Sequence, residues 1–249
     1  MFKIGKKKEN GFFFVYGKHS CYGDFINIGT SNPIASAFAK WVENGINGTG
    51  FEKRPRKKMK FWAEGPNNEL ICGFIGDSYD SYQRKYPLIT AWAGSPPLWK
   101  KNWSIIPAVC KECWSSFETI FDNNKLDYKK FQKNINDVNK PLTNWEELLK
   151  SKGKGLTLNL KRTRQNLHKM FYDRLNNIDG LLREEIFSIP VGSIDDNDLL
   201  TVSWKFNELY NKRAKNPNAV FIGGSKAEKH IIFVNRQLSI NDLKYIWTL

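Results

Sequence analysis

The stretch Phe12 to Phe25 reads FFFVYGKHSCYGDF and gathers, within a few positions, the residue types that could do chemistry. Four apolar or aromatic residues, Phe12 to Val15, are too few for a helix and suit a covered strand. Tyr16, Gly17, Lys18, His19, Ser20, Cys21, Gly23, Asp24 and Phe25 follow at once. Glycines at 17 and 23 allow a sharply turning backbone that presents Lys18 and Asp24 near a strand end, where open α/β sheets place their working loops. The plainer reading is a tight turn in which Asp24 caps the next helix, and residue types alone favour it.

A second group with chemical potential is Cys110-Lys-Glu-Cys113. A structural zinc site needs two further thiolates or imidazoles at matching spacing, yet Cys21, Cys72, His19, His168 and His230 are scattered singly. Neither a metal nor a cofactor is therefore expected. The pair falls in a helical pattern with Pro107 in its first turn, where both cysteines read as small buried hydrophobes.

Charge is the third feature. The chain has 249 residues and a formal net charge of +14. Six of the eight residues Lys53 to Lys60 are basic, which predicts an exposed loop whose nearest acids are Glu52 and Glu64. A further basic cluster runs from Lys150 to Arg174. Nucleic acid is the obvious alternative partner for such surfaces, but neither cluster interleaves aromatics, and no helix-turn-helix, RNP or zinc-finger signature is present. Solvated lysine-rich faces are the commoner outcome.

The elements that must position these groups follow from periodicity. At 41% hydrophobic, the chain can bury a large core. No run of about 18 apolar residues occurs and Met1 to Gly11 has no apolar core, so neither membrane insertion nor a signal peptide is expected, and the cytoplasm is the expected location. Ser31-Asn32-Pro33 starts a helix that carries Trp41 and is ended by Gly45, Gly48 and Gly50. Lys60–Ala63, Leu70–Gly76 and Tyr86–Trp92 read as strands, the first two joined by a turn at Pro66-Asn67-Asn68. Helices are predicted from Ile105 to Phe121, from Asp127 to Val138 and from Gln165 to Phe187, and the stretch from Asp195 through Ala214 reads as a further helix or a strand-helix pair. A strand at Leu156–Leu160 follows a flexible linker, and two strands, Ala219–Gly223 and His230–Val234, precede a last helix at Asn241–Trp247. Mixed strands and helices with long connections predict an α/β fold.

Val15-Tyr16-Gly17-Lys18, then Gly23-Asp24-Phe25, then Trp41 resemble the opening pattern of the TagF family, also called ImpM, Y/F-G-K-x-P-x-x-G-D-F. Asp80, Arg84, Tyr86, Pro87 and Leu88 resemble that family's D-x-x-G-R-x-F-P-L. Ser20 stands where the family has proline and Gln83 where it has glycine. The resemblance implies a three-layer α/β/α sandwich with a mixed central sheet and an additional helical region. Residues 1–125 would form the family-like α/β region, and residues 126–249 a helical segment and the strands that complete the fold. It implies a cytoplasmic accessory protein of a bacterial type VI secretion system. Such a protein regulates assembly after translation, in some systems through a forkhead-associated scaffold protein. No G-x-S-x-G elbow, HExxH or paired-carboxylate motif is present, which fits a non-enzymatic role. Buried charges survive only if paired, so an Asp–Arg contact, for which Asp24 with Arg84 is one candidate pair, is expected to pin the glycine loop to the strand beginning near Tyr86; the alternative is that the same loop forms a docking face.

Overall fold

The computed structural model describes residues 11–46, 56–138, 180, 183–211 and 215–249. The linker, the strand at 156–160, most of the helix at 165–187 and the basic cluster at 150–174 lie outside these residues, as do Lys53, Arg54 and Pro55.

Among the described residues, eight strands form one sheet: β1 (Gly11–Gly17), β2 (Ile26–Ile28), β3 (Lys58–Glu64), β4 (Leu70–Tyr79), β5 (Lys85–Gly94), β6 (Ile186–Gly192), β7 (Ala219–Gly224) and β8 (Lys229–Val234). Their spatial order is β2-β1-β5-β4-β3-β7-β8-β6. The α/β class expected from the sequence holds in this broad sense, but every pairing is antiparallel, which corrects the mixed sheet. The reason is local: β3–β4, β4–β5 and β7–β8 are joined by short turns, and a hairpin can only pair its strands antiparallel. Because β7 pairs with β3, the C-terminal strands extend the sheet that the N-terminal strands begin.

Alternation along the strands sends side chains to two separate apolar clusters. In β3, Met59, Phe61 and Ala63 join one cluster, and Trp62 joins the other. The first cluster is covered by α1 (Pro33–Ile46) and by α5 (Ile240–Thr248). A 3-10 helix (Trp99–Ile105), α2 (Ile106–Asp122), α3 (Tyr128–Asn136) and α4 (Asp196–Asn211) contribute to the second. Asn32 accepts the Ile34 N–H at 3.0 Å and starts α1, and Asp127 caps α3 by accepting from Lys130 N–H at 2.8 Å. Gly45 does not end α1 but lies inside it, where an added Cβ would sit 2.6 Å from Leu243 Cβ of α5.

Two further expectations change. Ile186 and Phe187 open β6 rather than close a helix, and Pro190 fits there because β6 is the edge strand next to β8. The basic run is no loop from Lys58 onward: it is the start of β3. Lys57 donates to the Trp247 carbonyl at 3.0 Å, Lys58 pairs with Asp122 at 2.6 Å, and Lys60 pairs with Asp196 at 2.7 Å and Glu118 at 3.1 Å. Partners distant in sequence, which no local scan sees, neutralise the charges that sequence left to solvent.

The registers also align one transverse row, Gly17, Leu88, Gly76, Lys58, Gly224, Lys229 and Gly192, across β1, β5, β4, β3, β7, β8 and β6. The loop after Gly17 and the β7–β8 turn therefore leave the same end of the sheet. Gly17 has φ +126°, and a Cβ there would lie 2.0 Å from the Pro87 carbonyl oxygen. Gly23 has no such conformation, and a Cβ would meet only side chains, the Tyr82 ring at 2.8 Å and Ser81 Oγ at 3.4 Å. Gly17→Ala should therefore destabilise the protein by roughly 2–4 kcal/mol, and Gly23→Ala by under about 1 kcal/mol, measured by denaturant unfolding. Equal effects of the two would contradict this account of the loop.

Candidate functional site

The two motif stretches meet at one carboxylate. Asp80 follows β4 and is fully buried at 0% exposure. Its Oδ2 accepts from Lys18 Nζ at 3.1 Å and Arg84 Nε at 2.7 Å. Oδ1 accepts the backbone N–H groups of Tyr82 at 3.0 Å and Arg84 at 2.9 Å. Four donors thus converge on one side chain. Asp80 closes the β4–β5 turn on itself, with Asp80 N–H donating to the Arg84 carbonyl at 3.2 Å and Gln83 N–H to the Asp80 carbonyl at 2.9 Å.

The same groups hold the glycine loop. Arg84 Nη2 donates to the Gly23 carbonyl at 2.7 Å, and Ser81 N–H donates to the Tyr22 carbonyl at 2.9 Å. Lys18, itself buried, lies 5.1 Å from the centre of the Phe25 ring. Phe25 packs on Tyr86 and Tyr16 at centroid distances of 4.7 and 5.7 Å. Pro87 sits beside Gly17 at the first position beyond the β1–β5 ladder. The opposed Asp77 turns its N–H away to the Lys57 carbonyl at 3.0 Å, so the missing N–H of Pro87 faces the side where β1 no longer pairs.

Of the ten residues singled out from sequence, Tyr16, Gly17, Lys18, Gly23, Phe25, Asp80, Arg84 and Pro87 are brought together in this way. Asp24 is not the partner of Arg84: its Oδ1 accepts the Phe25 N–H at 2.8 Å and leads the chain into β2 rather than capping a helix. Asp80 takes the arginine because its turn places Nε beside it, four residues along. Trp41 belongs elsewhere. It donates from Nε1 to the Ser239 carbonyl at 2.7 Å and stacks on Phe221, which ties α1 to the start of α5. Gln83, where the family resemblance expects glycine, has φ +64°, a left-handed conformation that explains why glycine suits the position.

Sequence reading missed His19 as a structural element. Its Nε2 lies 3.3 Å from the Phe121 carbonyl and its Nδ1 accepts the Cys21 N–H at 3.2 Å. Burial lowers its pKa, so the neutral ring with hydrogen on Nε2 satisfies both contacts. This joins the loop to the C-terminus of α2. Sequence also missed the outward aromatic face. Tyr82 is 73% exposed and Tyr22 41%. Tyr22 stacks on Tyr128 at 4.6 Å, and the Arg84 guanidinium lies 5.5 Å from the Tyr82 ring. Tyr22-x-Asp24 and Asp80-x-Tyr82-x-Arg84 spacing carries no sequence signal for such a face, because it forms only when the two loops meet.

Cys110 and Cys113 lie on the buried side of α2, with Cys72 of β4, and burial raises all three thiols. Protonated thiols in an apolar cluster act as packing. The helix that carries them follows a 3-10 helix, not a strand.

No family model matches the chain, and no curated protein does. Among solved structures, PA0076 from Pseudomonas aeruginosa PAO1 is similar at 17% identity and a TM-score of 0.43, over 52% of this chain and 64% of that one. The match thus spans less than two thirds of PA0076.

Burial opposes ionisation of Asp80, but the Arg84 N–H, Lys18 and the Arg84 guanidinium outweigh it and hold the carboxyl at about 2, below the ordinary 3.8. A depressed folded pKa stabilises the protein fully above the unfolded value and is lost as pH falls through the folded one. Stability should therefore decline between about pH 5 and pH 2. Asp80→Asn should cost roughly 3 kcal/mol at neutral pH, as breaking a buried pair does, and should show a shallower acid decline in urea titrations. An unchanged acid slope in the variant would contradict the assignment.

Proposed function

We propose that this chain is a TagF-like accessory protein of a bacterial type VI secretion system that regulates assembly after translation by protein contact, without catalysing a reaction. The observation that carries the reading is the junction at Asp80. The two stretches that resemble the family's motifs lie some sixty positions apart, yet Arg84 of one bonds the Gly23 carbonyl of the other at 2.7 Å. All three charged groups of the junction are committed to each other, so the unit serves as a rigid mount rather than a reactive centre. In this reading the helices on both faces of the sheet are the three-layer arrangement that the family resemblance implies, and the protein acts in the cytoplasm.

What the mount presents is Tyr22, Tyr82 and the half-exposed Arg84 side chain. Tyrosine and arginine held rigidly at the surface are the residues that dominate protein–protein binding energy. The partner class is a type VI secretion component, with a forkhead-associated scaffold protein among the first to test. Nucleic acid is less favoured, because Lys57, Lys58 and Lys60 of the densest basic run are bonded within the chain.

The test is binding of the purified chain to purified secretion components, and separately to duplex DNA, at two salt concentrations. Wild type should bind a secretion component, and Tyr82→Ala should weaken it by at least about fivefold, a hot-spot loss above 1 kcal/mol, with stability unchanged within about 0.5 kcal/mol. Binding to DNA alone, with a steep log-linear salt dependence, would overturn the reading.

A further inference from the structure

At the same end of the sheet, beside the β7–β8 turn, lies a cleft of about 770 Å³ between β3, β7, α2 and the first turn of α4. Its walls carry five cations, Arg56, Lys58, Lys60, Lys226 and Lys229, and three carboxylates, Glu118, Asp122 and Asp196. Phe74, Leu199 and Ile222 also line it. Three of the cations are fixed by the three acids. Lys60, with only 8% of its side chain exposed, pairs with Asp196 at 2.7 Å and Glu118 at 3.1 Å. Lys229 Nζ reaches Asp196 at 2.7 Å and the Ile194 carbonyl at 2.6 Å, and Lys58 reaches Asp122 at 2.6 Å. Burial opposes the charge on Asp196, but Lys229 and Lys60 outweigh it and hold that carboxyl at about 2, so Asp196 stays ionised near neutral pH.

An ion-pair cluster alone would explain how α2 and α4 are held against the sheet, but it does not explain the two cations left over. Arg56 stacks over Tyr79 at 5.1 Å and makes no ion pair with a described carboxylate, although its charge favours the ionised form of Asp77, and Lys226 on the turn makes no such pair either. Counted over its lining residues, the cleft therefore carries two more cations than carboxylates. Its volume falls in the range of small-molecule sites, about 300–1,000 Å³. An arginine fork and a lysine on the walls of one cleft, neither held by a carboxylate in an ion pair, suit phosphate oxygens.

We infer that this cleft is a binding site for a phosphate-bearing small molecule of about nucleotide size. Arg56 and Lys226 meet the phosphate, and the remainder of the ligand lies against Ser225 and Ala227 of the β7–β8 turn, since Phe74, Leu199 and Ile222 are buried beneath the cleft. The inference does not depend on the docking face at Tyr82. It does share a neighbour with it: α2 ends with Phe121, which holds His19, and Asp122, which holds Lys58.

The experiment is titration calorimetry of the full chain at low ionic strength with ATP, GMP, adenosine and inorganic phosphate, each to about 1 mM, a reach matched to weak sites. A nucleotide should bind, adenosine should bind at least about tenfold more weakly, and the affinity should fall with added salt. Arg56→Gln with Lys226→Gln should reduce nucleotide affinity at least about tenfold while the melting temperature stays within about 2 °C. Lys226→Gln alone, on an exposed turn, serves as the second variant and should give a smaller loss. No heat with either nucleotide, equal binding of adenosine, or unaltered affinity in both variants would overturn the inference.

Discussion

The buried carboxylate of Asp80 is the constraint on which this end of the molecule depends. An ion removed from water costs several kcal/mol unless its lone pairs are met, and here two backbone N–H groups, a guanidinium and an ammonium meet them. Those donors come from two loops distant in sequence, so the electrostatic requirement of one residue fixes the relative position of both. Arg84 then carries the constraint outward to the Gly23 carbonyl, and with it Tyr22 and Tyr82 are set at the surface.

The sheet makes this possible. Seven antiparallel strands align Gly17, Lys58, Gly224 and Lys229 in one row, so the clamp, the basic start of β3 and the β7–β8 turn share an edge. The C-terminus of α2 spans the interval, with Phe121 bonded to His19 and Asp122 to Lys58. Shape and charge along that edge are therefore coupled through a helix end rather than through the sheet itself. The high positive charge of the chain is in part consumed there: lysines that look free in sequence neutralise acids on α2 and α4.

Much of the fold was legible because its signals are local. Phe12–Val15, Leu70–Gly76 and Ala219–Gly223 are short apolar runs bounded by turn residues, and all three are strands. Asn32 and Asp127 announce the helices they cap. What was not legible is pairwise. Nothing near Lys60 in sequence indicates Asp196, and nothing near Arg84 favours Asp80 over Asp24 until the turn is built. The direction of pairing was missed for a related reason: the mixed sheet came from the family resemblance, whereas the short turns after β3, β4 and β7 make their pairings antiparallel. β6 was hidden by an apolar pattern that continues across Ile186 and Phe187 from a helical reading upstream, and Pro190 was its one marker. The aromatic face at Tyr22, Tyr82 and Tyr128 draws on three separate segments and has no sequence signature at all.

Hydrogen exchange on wild type and Asp80→Asn tests most directly whether one carboxylate holds both loops. The Tyr82 and Arg84 amides bond Asp80 itself, the Ser81 amide bonds the Tyr22 carbonyl, and the Tyr22 amide bonds the His19 carbonyl at 3.0 Å. If the account is right, all four lose protection together in the variant, by a common factor, while the amides of central β4 are unaffected relative to global stability. Faster exchange confined to Tyr82 and Arg84, with the Tyr22 amide as protected as in wild type, would show that the glycine loop stands without Asp80 and would contradict the claim.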